Sequence, residues 1–402
     1  MQQNHSPAID SVVGLAVDIL ERYAAAEPGS LSRYGHDAGP MVLASIADSV
    51  GAVPEDLLRR VARRWFDESP GIVNSLGAFG GMGGFIAGVR ALIAIDHEFS
   101  SVSDLLVEQT RRMLAAVQWR TSLVAWADYD LFRGPVGLVL AGATHSGATA
   151  HLVPAARHLA RLCADPGLEG LRAGTEIDPH SAFNIGRINT GMGHGVTGVA
   201  AALRHAVETF ENGNDYRPAL RRACDWLVEE AYLADGDLIT WPAVGRDGAR
   251  PPGFADRRQA WCYGTPGVAW TLWDAGRVLE DSSLQVLGEE AMRSFCRVFD
   301  PDYHFFDAYY HVNEDDISED LAMCHGAAGI LAVADAFTRH AGLSDAASFR
   351  DDLDLYLLDR VNQIADIART DMTMLNGAGG IVSVMMTVHG GARSWLCQIA
   401  LR

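Results

Sequence analysis

A Gly-x-x-Gly pattern followed by an apolar run recurs six times along the chain, at Gly81–Gly84, Gly134–Gly137, Gly195–Gly198, Gly264–Gly267, Gly326–Gly329 and Gly377–Gly380. The first glycines are spaced by 53, 61, 69, 62 and 51 residues, and a degenerate seventh copy, Gly35-His-Asp-Ala-Gly39, lies 46 residues upstream. One such tetrapeptide carries almost no information. Six in phase, each opening an apolar stretch, restrict the chain to a repeat architecture. Between them lie segments whose apolar residues recur at helical spacing beside a polar face, among them 101–118, 151–164, 216–234 and 283–299. Each unit therefore reads as an amphipathic helix, a loop, a glycine corner and a more apolar helix. A single unit cannot bury its apolar helix, so the units are expected to close into a ring with apolar helices inside and amphipathic helices outside. The predicted fold is all-α, an α/α toroid of about seven helix pairs spanning 1–402 as a single domain, where length alone would suggest two or three. Two stretches break the rhythm, 165–187 and 236–256, and are expected as loop insertions with room for short strands.

Charge and cysteine usage narrow the function. The 402 residues include 51 acids and 32 bases, for a formal net charge of −19, and every base is an arginine. Without lysine there is no ε-amine for a Schiff base, a phosphate-loop lysine or a serine–lysine pair. The acidic balance argues against a nucleic-acid partner, whose footprint would be a basic face. The most apolar run, Gly81 to Ile95, is broken by Arg90 and falls short of the ~20 residues that span a bilayer, so no transmembrane segment is expected. The polar start, Met1 to Asp10, lacks a secretory signal's features, which predicts a cytoplasmic protein. Six cysteines are too few in so long a chain for a disulfide scaffold.

If the units are in register, the residues before each first glycine share one rim. Those positions hold Phe79-Gly80, Phe132-Arg133, Gly193-His194, Cys262-Tyr263, Cys324-His325 and Leu375-Asn376. Two cysteines occupy one slot in adjacent repeats, and two histidines share the slot beside it. Cys262, Cys324 and His325 should therefore converge at the mouth of the ring, with His194 as a neighbour. Two cysteines and one histidine with a fourth position open is a catalytic zinc pattern, because structural sites close with four protein ligands. Two thiolates already neutralise Zn²⁺, which weakens it for activating water and suits it to holding a substrate thiolate. Thiol alkylation is expected rather than hydrolysis. Cys163, Cys224, Cys296 and Cys397 share no slot and read as core residues.

Trp261-Cys262-Tyr263-Gly264-Thr265-Pro266-Gly267, Cys324-His325-Gly326-Ala327-Ala328-Gly329 and Gly191-Met192-Gly193-His194-Gly195 resemble the three signature motifs of the lanthipeptide cyclase (LanC) family. The likeness in motif order runs over essentially the whole chain, departing in Gly193, where alanine is more usual, and in the weak first repeat. It implies one Zn²⁺ per chain on Cys262, Cys324 and His325, with His194 as the acid/base residue. It further implies that Arg258 helps to orient the site, that Tyr263 stands beside the first ligand, and that Asp130 is the family's acidic residue four positions before a corner glycine. Asp128 competes for that last role.

The activity implied is that of a stand-alone cyclase. A cysteine thiol of a dehydrated precursor peptide with its leader adds to dehydroalanine or dehydrobutyrine and closes a lanthionine or methyllanthionine thioether ring. A dehydratase and an export transporter are the implied partners, in a biosynthetic complex through which the chain would sit peripherally at the membrane. Two alternatives stay open at this point: a zinc protein of the same family that binds or adds glutathione-type thiols without cyclising a peptide, and a toroidal glycosidase with paired carboxylates.

Overall fold

A computed structural model describes residues 7–27, 37–68, 73, 75–142, 149–176, 183–234, 237–245, 259–300 and 318–402 of the chain. Seven helices form an inner ring: α2 (Gly39–Ser49), α4 (Met82–Ile95), α6 (Pro135–Ala141), α8 (Val196–Thr209), α10 (Thr265–Leu279), α12 (Ala327–Ala336) and α15 (Ala378–Val388). Each packs on the next in chain order, and α15 packs back on α2, which closes the circle. Outside them lie α1 (Pro7–Ala25), α3 (Glu55–Glu68), α5 (Ser100–Ala116), α7 (Val153–Leu162), α9 (Arg217–Glu230), α11 (Ser282–Val298), α13 (Ser344–Leu358) and α14 (Val361–Ile367). The composition of each layer follows from its position. All ten residues of α12 are buried, whereas α3 buries Leu57, Leu58, Val61, Ala62 and Trp65 along one face and exposes Glu55, Asp56, Arg59, Arg60, Arg63 and Asp67 on the other.

Each corner starts an inner helix. Gly81, Gly134, Gly195, Gly264, Gly326 and Gly377 are the N-cap residues of α4, α6, α8, α10, α12 and α15. The second glycine serves close approach: a Cβ added at Gly198, Gly267, Gly329 or Gly380 would overlap the carbonyl oxygen six residues upstream, on Met192, Trp261, Met323 and Met374. Gly264 has a further reason to be glycine, with φ of 75°. In the degenerate copy, Gly35 lies outside the described residues, and Ala38 rather than a glycine is the N-cap of α2. Gly39 instead meets the far end of the chain, where an added Cβ would lie 2.5 Å from the carbonyl oxygen of Met372.

Four pairs of successive corners are hydrogen-bonded to one another. Ala78 N–H donates to Leu131 O, Leu131 N–H to Gly193 O, Met192 N–H to Cys262 O and Cys324 N–H to Leu375 O, at 2.8 to 3.0 Å. At the seam, Asp37 accepts from both Gly39 N–H and Met374 N–H at 2.8 Å, joining the first corner to the last. These backbone bonds hold the units in register and give the residues before the glycines equivalent places on one rim.

One feature departs from the expected plan. The ring is filled by the end of the chain: a 3₁₀ turn, Leu396–Ile399, buries all its residues but Cys397. The indoles of Trp261 and Trp270 donate to Ile399 O and Ala400 O at 2.9 and 3.0 Å. A hairpin of β1 (Tyr232–Ala234) and β2 (Leu238–Thr240) overlaps the start of 236–256, of which residues 236 and 246–256 lie outside the described set. Within 165–187, Ala173 forms an isolated bridge with Val124, and residues 177–182 lie outside the described set. No helix among the described residues is long and apolar enough to cross a membrane.

Candidate metal centre

Cys262 precedes the N-cap of α10 by two residues, and Cys324 and His325 immediately precede that of α12, so two adjacent corners present all three side chains. Their Sγ and ring-nitrogen atoms lie within 4.8 Å of one another. Cys262 is 2% and Cys324 5% exposed, while His325 is partly exposed, so the cluster is sunk in the rim yet open on one side. The donor set itself tests the fit to a metal. Two thiols and an imidazole at this mutual spacing match the soft donors that Zn²⁺ selects, at ~2.0 to 2.3 Å from the ion.

The remaining cysteines behave differently. Burial pushes the Cys163 thiol up to about 12 and raises that of Cys224 further, so neither is a ready thiolate. Cys296 is also pushed up to about 12 by burial, although it is partly exposed. Cys397 departs from the expected core placement. It is partly exposed and lines a cavity.

A second group is built from the two preceding corners. His194 Nδ1 lies 2.6 Å from Asp130 Oδ2, and since a carboxylate oxygen only accepts, the ring donates from Nδ1 and leaves Nε2 for proton exchange. Asp130 is itself held in place, its Oδ1 accepting from the backbone N–H groups of Arg133 and Gly134 at 2.7 and 3.0 Å. Asp128 belongs to a different group. Its two oxygens accept from Arg120 N–H and Ala125 N–H at 3.0 and 2.8 Å, which shapes the loop entering the short helical turn Trp126–Tyr129. The carboxylate on His194 is that of Asp130.

Aromatic residues that the sequence reading left out complete the pair. The imidazole lies between Trp126 and Phe132, with ring centroids at 4.7 Å on both sides, and the His194 side chain remains 28% exposed. Tyr129 donates to His194 O at 2.6 Å, and burial holds its phenol well above the usual range, so it acts as a fixed donor. The available signal was the run Trp126-Ala-Asp-Tyr-Asp130-Leu-Phe132, three aromatics within seven residues just before a corner.

The two groups are linked through the backbone. Met192 N–H donates to Cys262 O at 2.8 Å, two residues from His194 and at the first ligand candidate. Tyr263 adds a second tie: its hydroxyl accepts from Asn189 Nδ2 at 2.9 Å, and its ring packs so closely on Gly191 that a Cβ there would lie 2.7 Å from it. Tyr263 thus sits between the corner of Cys262 and that of His194. Gln259, also missed, is 1% exposed and accepts from Thr265 N–H at 2.8 Å, bracing the start of α10. Arg258, expected as an orienting residue, lies outside the described residues.

The family model of lanthionine synthetase C-like proteins matches residues 52–382. Among solved structures, nisin cyclase superposes with a TM-score of 0.75 at 16% sequence identity, covering 98% of this chain and 96% of that one. No curated protein sequence matches the chain. The shared fold is the α/α toroid, with inner and outer helices in the arrangement described above.

Proposed function

The chain belongs to the lanthionine synthetase C-like family, and from that premise we propose that it is a lanthipeptide cyclase, closing thioether rings in a dehydrated precursor peptide. The observation that carries this reading is the convergence of Cys262, Cys324 and His325 beside a rim that also bears the His194–Asp130 pair. A Zn²⁺ ion held by those three residues would acidify a substrate thiol at its fourth position while two thiolates keep its Lewis acidity low.

The chain's own residues account for the proton. The substrate's S–H proton is released, sulfur bonds to the β-carbon of the dehydroamino acid, and the former C=C pair becomes an enolate. That enolate takes a proton at the α-carbon, so nothing is oxidised or reduced overall. His194 Nε2 is the group we assign to this transfer, because its other nitrogen is committed to Asp130 and its faces are held by Trp126 and Phe132. Tyr263 and Asn189 position the corner that carries Cys262. Arg258 is assigned, from its place four residues before Cys262, to orienting the acceptor carbonyl. A dehydratase must supply such a substrate.

The test is turnover of a precursor peptide dehydrated in vitro, with N-ethylmaleimide and mass spectrometry counting the thiols that remain. The parent chain should consume thiols without a change in peptide mass, and Cys324→Ala should lose both stoichiometric zinc and ring formation. Zinc near one per chain in Cys324→Ala overturns the ligand assignment. Parent protein that holds zinc yet leaves every thiol free overturns the cyclase reading in favour of a thiol-binding scaffold.

A further inference from the structure

The inner helices all begin at the corner rim and run toward the other end of the ring, about 20 Å away for a fourteen-residue helix such as α4. At that far end lies a cavity of about 430 Å³, within the ordinary range for small-ligand sites. Its apolar wall includes Val42 and Ile46 of α2, Ala91 of α4 and Trp395 of the chain-end segment. Its polar lining residues are Ser45 of α2, Arg90 of α4, His97, Ser394 and Gln398, of which Arg90 is the one permanently charged.

Gln398 is 1% exposed, and its Nε2 donates to Ala78 O at 2.7 Å, which ties its amide to the corner rim rather than to this cavity. Arg90 is half-buried, with Nη1 3.3 Å from Ala141 O and 3.6 Å from Cys397 Sγ, and no carboxylate lies within ion-pair distance of it among the described residues. The nearby arginines show the contrast. Arg204, Arg277 and Arg402 each pair with Asp274 and with Glu208. In a chain of net charge −19, a half-buried guanidinium in a cavity that has an apolar wall and that no acid lines is matched to an anion from outside.

We propose that this cavity binds a small organic carboxylate with an apolar tail, its carboxylate on Arg90 and its tail along Val42, Ile46 and Trp395. The walls disfavour a bare inorganic anion, which would gain the charge contact but leave the apolar surface wet. The site is separate from the cysteine–histidine cluster and does not depend on the reading given to that cluster.

Cys397 supplies the readout, since its thiol is partly exposed at the cavity beside Arg90. The rate at which iodoacetamide alkylates Cys397, located by peptide mass spectrometry, is measured against increasing hexanoate. Hexanoate should protect Cys397 saturably, and hexanol and acetate should each protect at least tenfold less well. Arg90→Gln keeps a donor for Ala141 O and should weaken protection by hexanoate ten- to a hundredfold, the loss of one charge-assisted contact. Ala87→Phe, at a partly exposed lining position, keeps the charge and should block the tail, which covers the case in which Arg90→Gln fails to fold. Cys324→Ala should leave protection unchanged. The proposal is overturned if hexanol equals hexanoate, if folded Arg90→Gln protects like the parent, or if tens of millimolar hexanoate give no protection.

Discussion

The two acids of Asp128-Tyr-Asp130 show how little separates a positioning role from a structural one. Asp130 spends one oxygen on two backbone N–H groups and the other on His194, while Asp128 spends both on the backbone of its own loop. Their substitutions should therefore fail in different ways. Asp130→Asn keeps an acceptor for Arg133 and Gly134 but offers His194 an amide, which loosens control of the ring's tautomer. Ring formation should fall on the order of 10²–10⁴-fold, with zinc content and melting temperature near those of the parent. Asp128→Asn loses one acceptor for a part-buried N–H and should cost about 0.5–1.5 kcal/mol of stability, with the activity of the folded fraction retained. Thermal melts alongside single-turnover assays of both variants separate the two roles. Equal activity loss per folded molecule would remove the distinction drawn here.

Among elements, the corner is the unit that matters, because it starts a helix, bonds to its neighbours and carries the site. Gly329 is a sensitive probe, being the second glycine of the corner that follows Cys324 and His325. A Cβ there overlaps Met323 O and lies 3.0 Å from the Cβ of Trp261, both backbone-anchored. Gly329→Ala should therefore displace the α12 corner, lowering stability by several kcal/mol, in the upper range for single substitutions, and reducing bound zinc in the molecules that still fold. Gly14, in the middle of α1, is the control. Nothing lies within 4 Å of its added Cβ, and Gly14→Ala should leave zinc unchanged and raise stability by roughly 0.5–1 kcal/mol through helix propensity and unfolded-chain entropy. Denaturant midpoints and elemental analysis on the pair provide the check.

For the whole molecule, ring closure depends on one seam, and a single carboxyl sits in it. Asp37 is fully buried between α2 and the corner of α15, and burial pushes it up to about 7 against the two backbone N–H bonds that lower it, with Asp371 nearby raising it further. The folded chain thus holds a proton on Asp37 that the unfolded chain, with an ordinary carboxyl near ~4, has released. The stability tied to this proton is fully present below about pH 4 and is lost as pH rises toward about 7. Asp37→Asn keeps an acceptor for Gly39 and Met374 without the charge. It should abolish the decline that Asp37 causes between those pH values, as read from the difference between variant and parent in urea unfolding. A difference that does not change with pH over that window would show that Asp37 is ionised in the closed ring.

The recurrence of Gly-x-x-Gly was enough to determine the number of inner helices, their starts and the closed ring, because period and hydrophobicity are local properties that each unit repeats. It was also enough to bring Cys262, Cys324 and His325 together, since registered corners place equivalent residues on one rim. What only the tertiary structure decided depends on contacts between distant segments that share no period. That Asp130 rather than Asp128 meets His194 follows from where each side chain points, and the packing of Trp126 and Phe132 on the imidazole forms only when two corners meet. The filling of the ring by Leu396–Ile399 carries no repeat signature, because a single segment occupies the axis that seven units share. The cavity beside Arg90 exists for the same reason: the arginine that breaks the most apolar run of the sequence lies where that segment stops short of filling the ring.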